Sequence, residues 1–250
     1  MSFINKSFIE SIKKTKPISD FNNHTYISLK NKYVYLAVGK AANSTIKHHL
    51  YELEYHNTKF KTLSLHDRRC SPLLSPFQLD ADFLAEFIKS DDVFKFTFVR
   101  NPFSRLLSCY LDRIVPKKSA PYRQLIKLLG KEVGDDISFE SFVLGICDQS
   151  PYEMNNHWRL QVDEVCYSHI NFDYIGRVES FAQDMANVWP KIAGNFESES
   201  LGEENKAPSI TKSNSRLVDY YSERLVSSVV DKFSRDFEVF GYSMDLNSAY

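Results

Sequence analysis

Apolar residues along the chain fall into short runs, each followed by a segment in which they recur at helical spacing. Tyr33–Val38 is almost continuously apolar, which is typical of a central parallel strand covered on both faces. The next segment has apolar residues at Ile46, Leu50 and Leu53, the spacing of one helix face. Phe94–Val99 predicts a further strand that runs directly into a helix. This alternation predicts an α/β fold, a three-layer sandwich with a mainly parallel central sheet.

Four more elements extend this pattern. Lys61–Leu65 predicts a second strand, and Phe172–Val178 predicts another one later in the chain. A helix is expected to begin at Ser180, where Gln183 would complete a capping box. A long amphipathic helix near the carboxyl terminus is expected to end near Gly241. Its apolar positions are Tyr221, Leu225, Val229 and Phe233.

The length of the chain, 250 residues, predicts a single domain with a substantial core. Residues 1–30 are interpreted as an amino-terminal helical extension, because Ile4, Phe8 and Ile12 recur at four-residue spacing. We expect this helix to pack on the domain, with peripheral contact to a membrane surface as the alternative. The amino-terminal sequence MSFINKSFIESIKKTK lacks the continuous apolar core of a signal peptide and is too short to span a bilayer.

Charge and cysteine content exclude several classes of protein. With 31 basic and 32 acidic residues, the net charge of -1 gives no reason to expect a nucleic-acid partner. The four cysteines are widely spaced and form no Cys-x-x-Cys pair. Neither a disulfide framework nor a zinc site is therefore indicated.

The junction after Phe94–Val99 has the features of a phosphate-binding turn. Asn101 is suited to cap the following helix and Pro102 to occupy its first position, where no amide is needed. Arg100 is then expected at the carboxyl end of a strand, beside a helix amino terminus. Backbone amides, the helix dipole and a guanidinium group would meet there, and Ser104, Arg105 and Ser108 follow at helical spacing.

A second turn, at Gly39-Lys40, follows the strand Tyr33–Val38. It is not a Walker A loop, which requires G-x-x-x-x-G-K-[ST], because it has one glycine and its lysine precedes Ser44 and Thr45 by several residues. Two phosphate-type turns in one small domain suggest a single nucleotide with two phosphate groups.

The segments VGKAANSTIK and FKFTFVRNPFSRLLSCY, in this chain order, resemble the two nucleotide motifs of sulfotransferases that use 3′-phosphoadenosine 5′-phosphosulfate (PAPS). The resemblance is to the Golgi carbohydrate enzymes of the chondroitin, dermatan and uronyl type. HWRLQVDEVC, FDYIGRVESFAQDM and DFEVFGY extend it across roughly Tyr33 to Tyr242. It implies a P-loop-like sulfotransferase fold and transfer of a sulfuryl group from PAPS to a carbohydrate hydroxyl, with release of 3′-phosphoadenosine 5′-phosphate (PAP) and no metal.

The same resemblance implies roles for individual residues. Lys40 would reach the bridging oxygen, and the loop after it would bind the 5′-phosphate. Arg100 and Ser108 would bind the 3′-phosphate, and Arg177 would lie near the cleft. The loop residues are Ala42, Asn43, Ser44 and Thr45. The Golgi relatives carry a transmembrane anchor and this sequence shows none, which predicts a cytoplasmic, bacterial enzyme.

Two histidines are candidates for the general base. His66 follows the predicted strand Lys61–Leu65, where the cleft of an open α/β sheet is expected, and is favoured. His157 is the rival, and its neighbour Trp158 is suited to pack against a sugar or to lie in the core.

Residues 115–156 are interpreted as an insertion that shapes acceptor binding, with helical patterns at Tyr122–Leu129 and Ser138–Asp148. A basic surface would suit an anionic glycan; it comprises Arg68, Arg69 and Arg113, with Lys117, Lys118, Arg123 and Lys127. Gly194–Ser215 is expected to be a mobile loop whose Lys206 and Lys212, with Arg216, close over the nucleotide.

Two alternatives stay open: a nucleotide-dependent phosphotransferase, and a non-catalytic glycan-binding module on the same fold. The oligomeric state and the acceptor are not specified by the sequence.

Overall fold

The computed structural model describes residues 3–56, 58, 64–194 and 216–249, with side chains from Phe8 onward. These residues form four strands: β1 (Thr25–Ser28), β2 (Tyr33–Leu36), β3 (Phe94–Val99) and β4 (Tyr174–Arg177). Their α-helices are α1 (Phe3–Thr15), α2 (Ile18–His24), α3 (Asn43–Tyr55), α4 (Ala81–Lys89), α5 (Pro102–Cys109), α6 (Ala120–Leu128), α7 (Phe139–Cys147), α8 (Gln161–Glu164), α9 (Phe181–Ala193), α10 (Leu217–Tyr220) and α11 (Glu223–Phe240). Among these helices, none combines the length and the apolar content needed to cross a bilayer.

The chain divides into two compact units. The first comprises the described residues of 1–99 and 163–194, and the second those of 100–162 and 216–249. Whether they make one domain, as the sequence predicts, stays a prediction.

The first unit contains the whole sheet, in the order β1-β2-β3-β4. β1 runs antiparallel to β2, whereas β2–β3 and β3–β4 are parallel pairs, which confirms the predicted α/β class and the mainly parallel sheet. The sequence did not predict β1, because its four residues include two polar ones, Thr25 and Ser28, although all four are buried. Of the strand predicted at Lys61–Leu65, residues 61–63 lie outside the described part, and Ser64 and Leu65 are not in a strand.

One face of this sheet carries the main core of the first unit. Alternate residues of β2 and β3 point to it, and α3 and α9 pack against them. The buried members include Tyr33, Tyr35, Phe96 and Phe98 from the strands, Ile46, Leu50 and Leu53 from α3, and Met185, Val188 and Trp189 from α9. The predicted apolar face of α3 is therefore confirmed.

The amino-terminal helix α1 contacts α2 and α4 of the same unit. Phe8 is 5 % exposed and Ile12 is fully buried, which agrees with the prediction that this helix packs on the domain.

The predicted capping box at Ser180 is wrong. Its hydroxyl donates to the Asp184 carboxylate at 2.7 Å and caps no amide, and a 3₁₀ turn, Val178–Ser180, precedes α9.

The second unit is helical. Asn101 caps α5 by accepting a hydrogen bond from the backbone N–H of Phe103 at 2.9 Å, and Pro102 is the first helical residue, both as predicted. Helices α6 and α7 correspond to the two patterns predicted between residues 115 and 156. Helix α11 packs against α5 and α7, and its Leu225, Val229 and Phe233 are buried. It ends at Phe240, and the following Gly241 has a φ of 62°, in the left-handed region.

Candidate active site

The turn between β2 and α3 has a backbone shaped for an anion. Lys40 (φ 70°) and Ala42 (φ 54°, ψ 17°) both occupy the left-handed region, which costs a residue with a Cβ about 1–2 kcal/mol. Ala42 has no side chain that could cap α3, and its carbonyl already accepts the N–H of Ile46. The amides of the first turn of α3 therefore suit an external anion, as in other helix-terminus and nest sites.

The side chains predicted for this loop are accessible. Lys40 and the four residues Ala42, Asn43, Ser44 and Thr45 are all partly exposed, while Ala41 between them is buried. Cationic, hydroxyl and amide donors are thus presented together at the start of α3. Such a donor set suits an anionic group such as a phosphate.

His66 lies beside this loop in the first unit. Its Nε2 is 3.5 Å from the Ser44 hydroxyl, and its Nδ1 is 3.2 Å from Nζ of Lys47. Lys47 also donates to the Leu65 carbonyl at 2.6 Å. The sequence analysis missed Lys47, although a lysine next to Ile46 on the buried face of a predicted helix is a detectable signal.

Of the two arginines after His66, one is engaged in the fold and the other is at the surface. Arg68 donates to the Thr25 carbonyl at 3.1 Å, and its guanidinium carbon is 4.1 Å from the centre of the Tyr26 ring. The Arg69 side chain is 90 % exposed and forms a bidentate pair with Asp67, from Nε to Oδ1 and from the terminal nitrogen to Oδ2. Hydrogen bonds from Arg69 lower the pKa of the Asp67 carboxyl to about 2.

In the second unit, Arg100 immediately precedes the capped start of α5. Its Nε donates to the Ser104 hydroxyl at 3.0 Å, and that hydroxyl donates to the Asn101 carbonyl at 3.2 Å. Ser108 lies one turn further along α5 and is 2 % exposed. The helix start and a guanidinium group are brought together here as the sequence predicted.

A buried glutamine fixes the backbone of Arg100. The Arg100 N–H donates to Oε1 of Gln161 at 2.9 Å, and Nε2 of Gln161 donates back to the Arg100 carbonyl at 2.8 Å. Asp236 of α11 in turn accepts the backbone N–H groups of Gln161 and Val162, at 2.8 and 3.0 Å. Burial raises the pKa of Asp236 to about 6, against the lowering effect of these bonds and of Arg105. We call this arrangement the Gln161 clamp; the sequence analysis missed it.

His157 is held in one orientation by the asparagine before it. Oδ1 of Asn155 accepts the His157 backbone N–H at 3.0 Å, so this amide oxygen is fixed as an acceptor. It lies 2.8 Å from Nδ1 of His157, and Oδ1 of Asn156 lies 3.0 Å from the same atom. Nδ1 must therefore carry the ring proton, which leaves the lone pair of a neutral imidazole on Nε2.

The segment around His157 is anchored from α5. Arg105 is 1 % exposed and donates to the carbonyls of Arg159 and Asn156, at 2.8 and 3.3 Å. Trp158 is fully buried, and its Nε1–H donates to Oε1 of Gln149 at 2.9 Å. The prediction that Trp158 stacks on a sugar is therefore corrected, because no face of its ring is exposed; the core position is the observed one.

The remaining predicted residues are dispersed. Nε of Arg113 is 2.9 Å from the Asp112 carboxylate, at the turn after α5. Arg177 ends β4 with an exposed side chain, and its backbone N–H donates to Asp184. Lys206 and Lys212, with most of the predicted mobile loop, lie outside the described residues, whereas Arg216 donates to the Tyr220 hydroxyl at 2.7 Å.

One group of side chains in the described residues has the composition of a metal site. His48, His49 and Glu52 of α3 have ligand atoms within 4.8 Å of one another. His49 is buried against the edge of Trp189, and burial lowers its pKa. A metal site at these residues was not predicted from the sequence.

Comparison with known proteins gives a consistent result. The profile of the Sulfotransferase family matches residues 23–243. Carbohydrate sulfotransferase 14 of Danio rerio is 26 % identical over 60 % of this chain and 44 % of its own length. Carbohydrate sulfotransferase 11 of Rattus norvegicus is 32 % identical over 40 % of this chain and 32 % of its own. Carbohydrate sulfotransferase 9 of Homo sapiens is 23 % identical over 95 % and 59 %. The chain thus spans less than half the length of the first two relatives, and no solved structure matches it significantly.

Proposed function

Because this chain belongs to the sulfotransferase family, we propose that it transfers a sulfuryl group from PAPS to a hydroxyl of a carbohydrate acceptor. The observation that carries the proposal is the left-handed backbone at Lys40 and Ala42, which presents donors at the start of α3 to an anion. A P-loop-like, three-layer version of the α/β fold is part of the same proposal. The phosphotransferase and the glycan-binding module have no support in the three relatives described above, which are named carbohydrate sulfotransferases.

The proposal assigns the two phosphate groups of the nucleotide to different motifs. The loop from Lys40 to Thr45 would bind the 5′-phosphosulfate, and Arg100 with Ser108 would bind the 3′-phosphate. The Gln161 clamp fixes the backbone of Arg100 at both its N–H and its carbonyl, so the guanidinium group starts from a defined position. Arg177 and Lys212 are further candidates for nucleotide contacts.

Transfer requires a donor at the departing phosphate and a base at the acceptor hydroxyl. Lys40 is proposed to stabilise the charge that develops on the bridging oxygen, which needs no metal ion. For the base, the hydrogen bonds favour His157 over His66, the reverse of the order expected from chain position. His157 has its proton fixed on Nδ1 and a lone pair on Nε2, the form that can accept a proton.

The acceptor is proposed to be a carbohydrate because the relatives are named carbohydrate sulfotransferases. An anionic glycan would be favoured by exposed Arg69, by Arg113 and by the basic residues of the predicted 115–156 insertion. The Arg68 side chain instead contacts the Tyr26 ring and the Thr25 carbonyl. The cytoplasmic location and bacterial source stay predictions from the sequence.

The test is transfer of label from ³⁵S-PAPS to a panel of neutral and anionic polysaccharides. We expect labelled product with at least one acceptor from the wild type and a large loss in Lys40→Ala. Label transfer by neither protein, together with no PAP binding in calorimetry, would reject the proposed function.

The choice of base has its own test. His157→Ala is expected to lower kcat at saturating acceptor by about 10²- to 10⁴-fold and to leave PAP affinity nearly unchanged. His169→Ala is a matched control: it is similarly half-buried, with Nε2 bonded to Thr15, and should retain activity. If His66→Ala instead gives the loss of kcat and His157→Ala mainly raises KM, the base is His66.

A further inference from the structure

The contact between Lys47 and His66 determines what His66 can do. A protonated lysine amine only donates hydrogen bonds, so its 3.2 Å contact makes Nδ1 of His66 the acceptor. The proton of the neutral imidazole must then lie on Nε2. That atom points to the Ser44 hydroxyl at 3.5 Å, on the first turn of α3. His66 is therefore arranged as a donor, whereas His157 is arranged as an acceptor.

Among the described residues, His66 is one of two hydrogen-bond acceptors for the Lys47 ammonium group. Lys47 is 2 % exposed, and the groups facing it are the Tyr26 ring of β1 at 5.6 Å, Arg68, and the Leu65 carbonyl. In the described part of the chain, no carboxylate lies within ion-pair distance of Lys47. A second positive charge on His66, next to this ammonium, is disfavoured by like-charge repulsion. The neutral Nε2–H form is the one that this environment selects.

We propose that Lys47 is a positioning residue that holds His66 in the Nε2–H tautomer, so that His66 donates a hydrogen bond to the 5′-phosphate end of the nucleotide beside Ser44. This inference rests on the proposed function, because it takes the loop from Lys40 to Thr45 as the site of that phosphate. His66 is thereby assigned to nucleotide binding. Lys47 touches no substrate in this proposal and determines which ring nitrogen of His66 carries the proton.

The tautomer can be measured directly by ¹⁵N NMR of the histidine ring nitrogens in the ligand-free protein at pH 7. The His66 signals are identified by their absence in His66→Gln. We expect Nε2 to carry the proton in the wild type and in Lys47→Arg, which keeps a cationic donor. Lys47→Met should give a mixture of tautomers or a proton on Nδ1. A proton on Nδ1 in the wild type would overturn the proposal.

Nucleotide binding gives the second test, by titration calorimetry with PAP and with adenosine 3′-monophosphate, which lacks the 5′-phosphate. Lys47→Met and His66→Ala should each weaken PAP binding about tenfold to a hundredfold, the range for a hydrogen bond to a charged group. Neither should change the affinity for adenosine 3′-monophosphate more than about twofold. Equal losses for both ligands would contradict a contact at the 5′ end.

A double-mutant cycle shows whether Lys47 affects PAP affinity through the tautomer of His66 or through its own charge. The Nε2 amide of glutamine is a fixed donor near the position of the histidine Nε2, so His66→Gln should retain most of the PAP affinity. Adding Lys47→Met to His66→Gln should then cause little further loss, because the donor no longer depends on Lys47. A full additional loss would mean that Lys47 acts through its own charge, and would overturn the proposal.

Lys95→Met is the matched control. Lys95 is also buried, at 4 % exposure, but its Nζ contacts Asp173 and the Ser90 carbonyl, so PAP affinity should be unchanged in Lys95→Met.

Failure of the proposed function and failure of the proposed role of Lys47 would give different results. If the wild type binds no PAP, the proposed function fails; if it binds PAP with equal affinity in Lys47→Met, only the role of Lys47 fails.

Discussion

Replacing Lys47 with methionine is expected to stabilise the fold at neutral pH, although the proposed role of Lys47 predicts weaker nucleotide binding. Burial, assisted by the charge of Arg68, lowers the pKa of the Lys47 ammonium from 10.5 to about 8. Because the folded state binds this proton more weakly than the unfolded chain, stability is reduced at every pH below 8. That loss disappears as the pH rises from 8 towards 10.5. The pKa difference corresponds to about 3 kcal/mol of unfolding free energy at pH 7.

Part of the stabilisation of Lys47→Met is offset by a lost hydrogen bond. The Leu65 carbonyl loses its donor in Lys47→Met, at a cost of about 1–2 kcal/mol, so the net stabilisation at pH 7 should be about 1–2 kcal/mol. Urea denaturation of both proteins at pH 7 and pH 9.5 measures the effect. The stability difference should move by about 2 kcal/mol in favour of the wild type at pH 9.5, because its lysine is then mostly neutral. A difference that stays constant between the two pH values would contradict a lowered pKa of Lys47 in the folded protein.

Three further predictions concern the second unit and the loop. Arg100→Ala should weaken PAP binding at least tenfold in calorimetry, since it removes charge-assisted donors worth about 1.5–3 kcal/mol; unchanged affinity in a folded variant would remove Arg100 from the nucleotide site. Lys40→Ala should lower kcat about 10²- to 10³-fold in steady-state kinetics and change PAP affinity much less. A near-normal kcat would make Lys40 an ordinary surface lysine. Asp236→Ala should lower the unfolding free energy by about 2–4 kcal/mol in urea denaturation, because two buried N–H groups lose their acceptor. Asp236→Asn should lose less, as its amide oxygen still accepts, and equal losses would argue against the hydrogen bonds as the cause.

The features that sequence reasoning predicted are those encoded within a few residues. A local apolar pattern predicted the strands at Tyr33 and Phe94, and turn chemistry predicted the helix cap at Asn101. The two strands and the cap are confirmed. The capping box at Ser180 was wrong because Asp184, one residue beyond the predicted partner, takes the hydroxyl. Residue type alone did not distinguish an exposed Trp158 from a buried one.

The residues that hold the candidate site residues in position could not be predicted from local sequence. Gln161 and Asp236 are joined by hydrogen bonds across 75 positions of the chain, and Lys47 meets His66 across 19. Such contacts depend on the tertiary fold, which periodicity does not specify. A buried charge on an otherwise apolar helix face, as at Lys47, is the local signal that does indicate such a partner.

The Gln161 clamp joins parts of the chain that leave the ribosome at different times. The segment that carries Arg100 and Ser108 is complete once α5 has been translated, but the carboxylate that holds Gln161 belongs to residue 236. Until that residue leaves the ribosome, the nascent chain contains every residue of the Arg100 motif but lacks the group that fixes its backbone. A chain released before Asp236 would therefore retain the motif and lose its defined geometry.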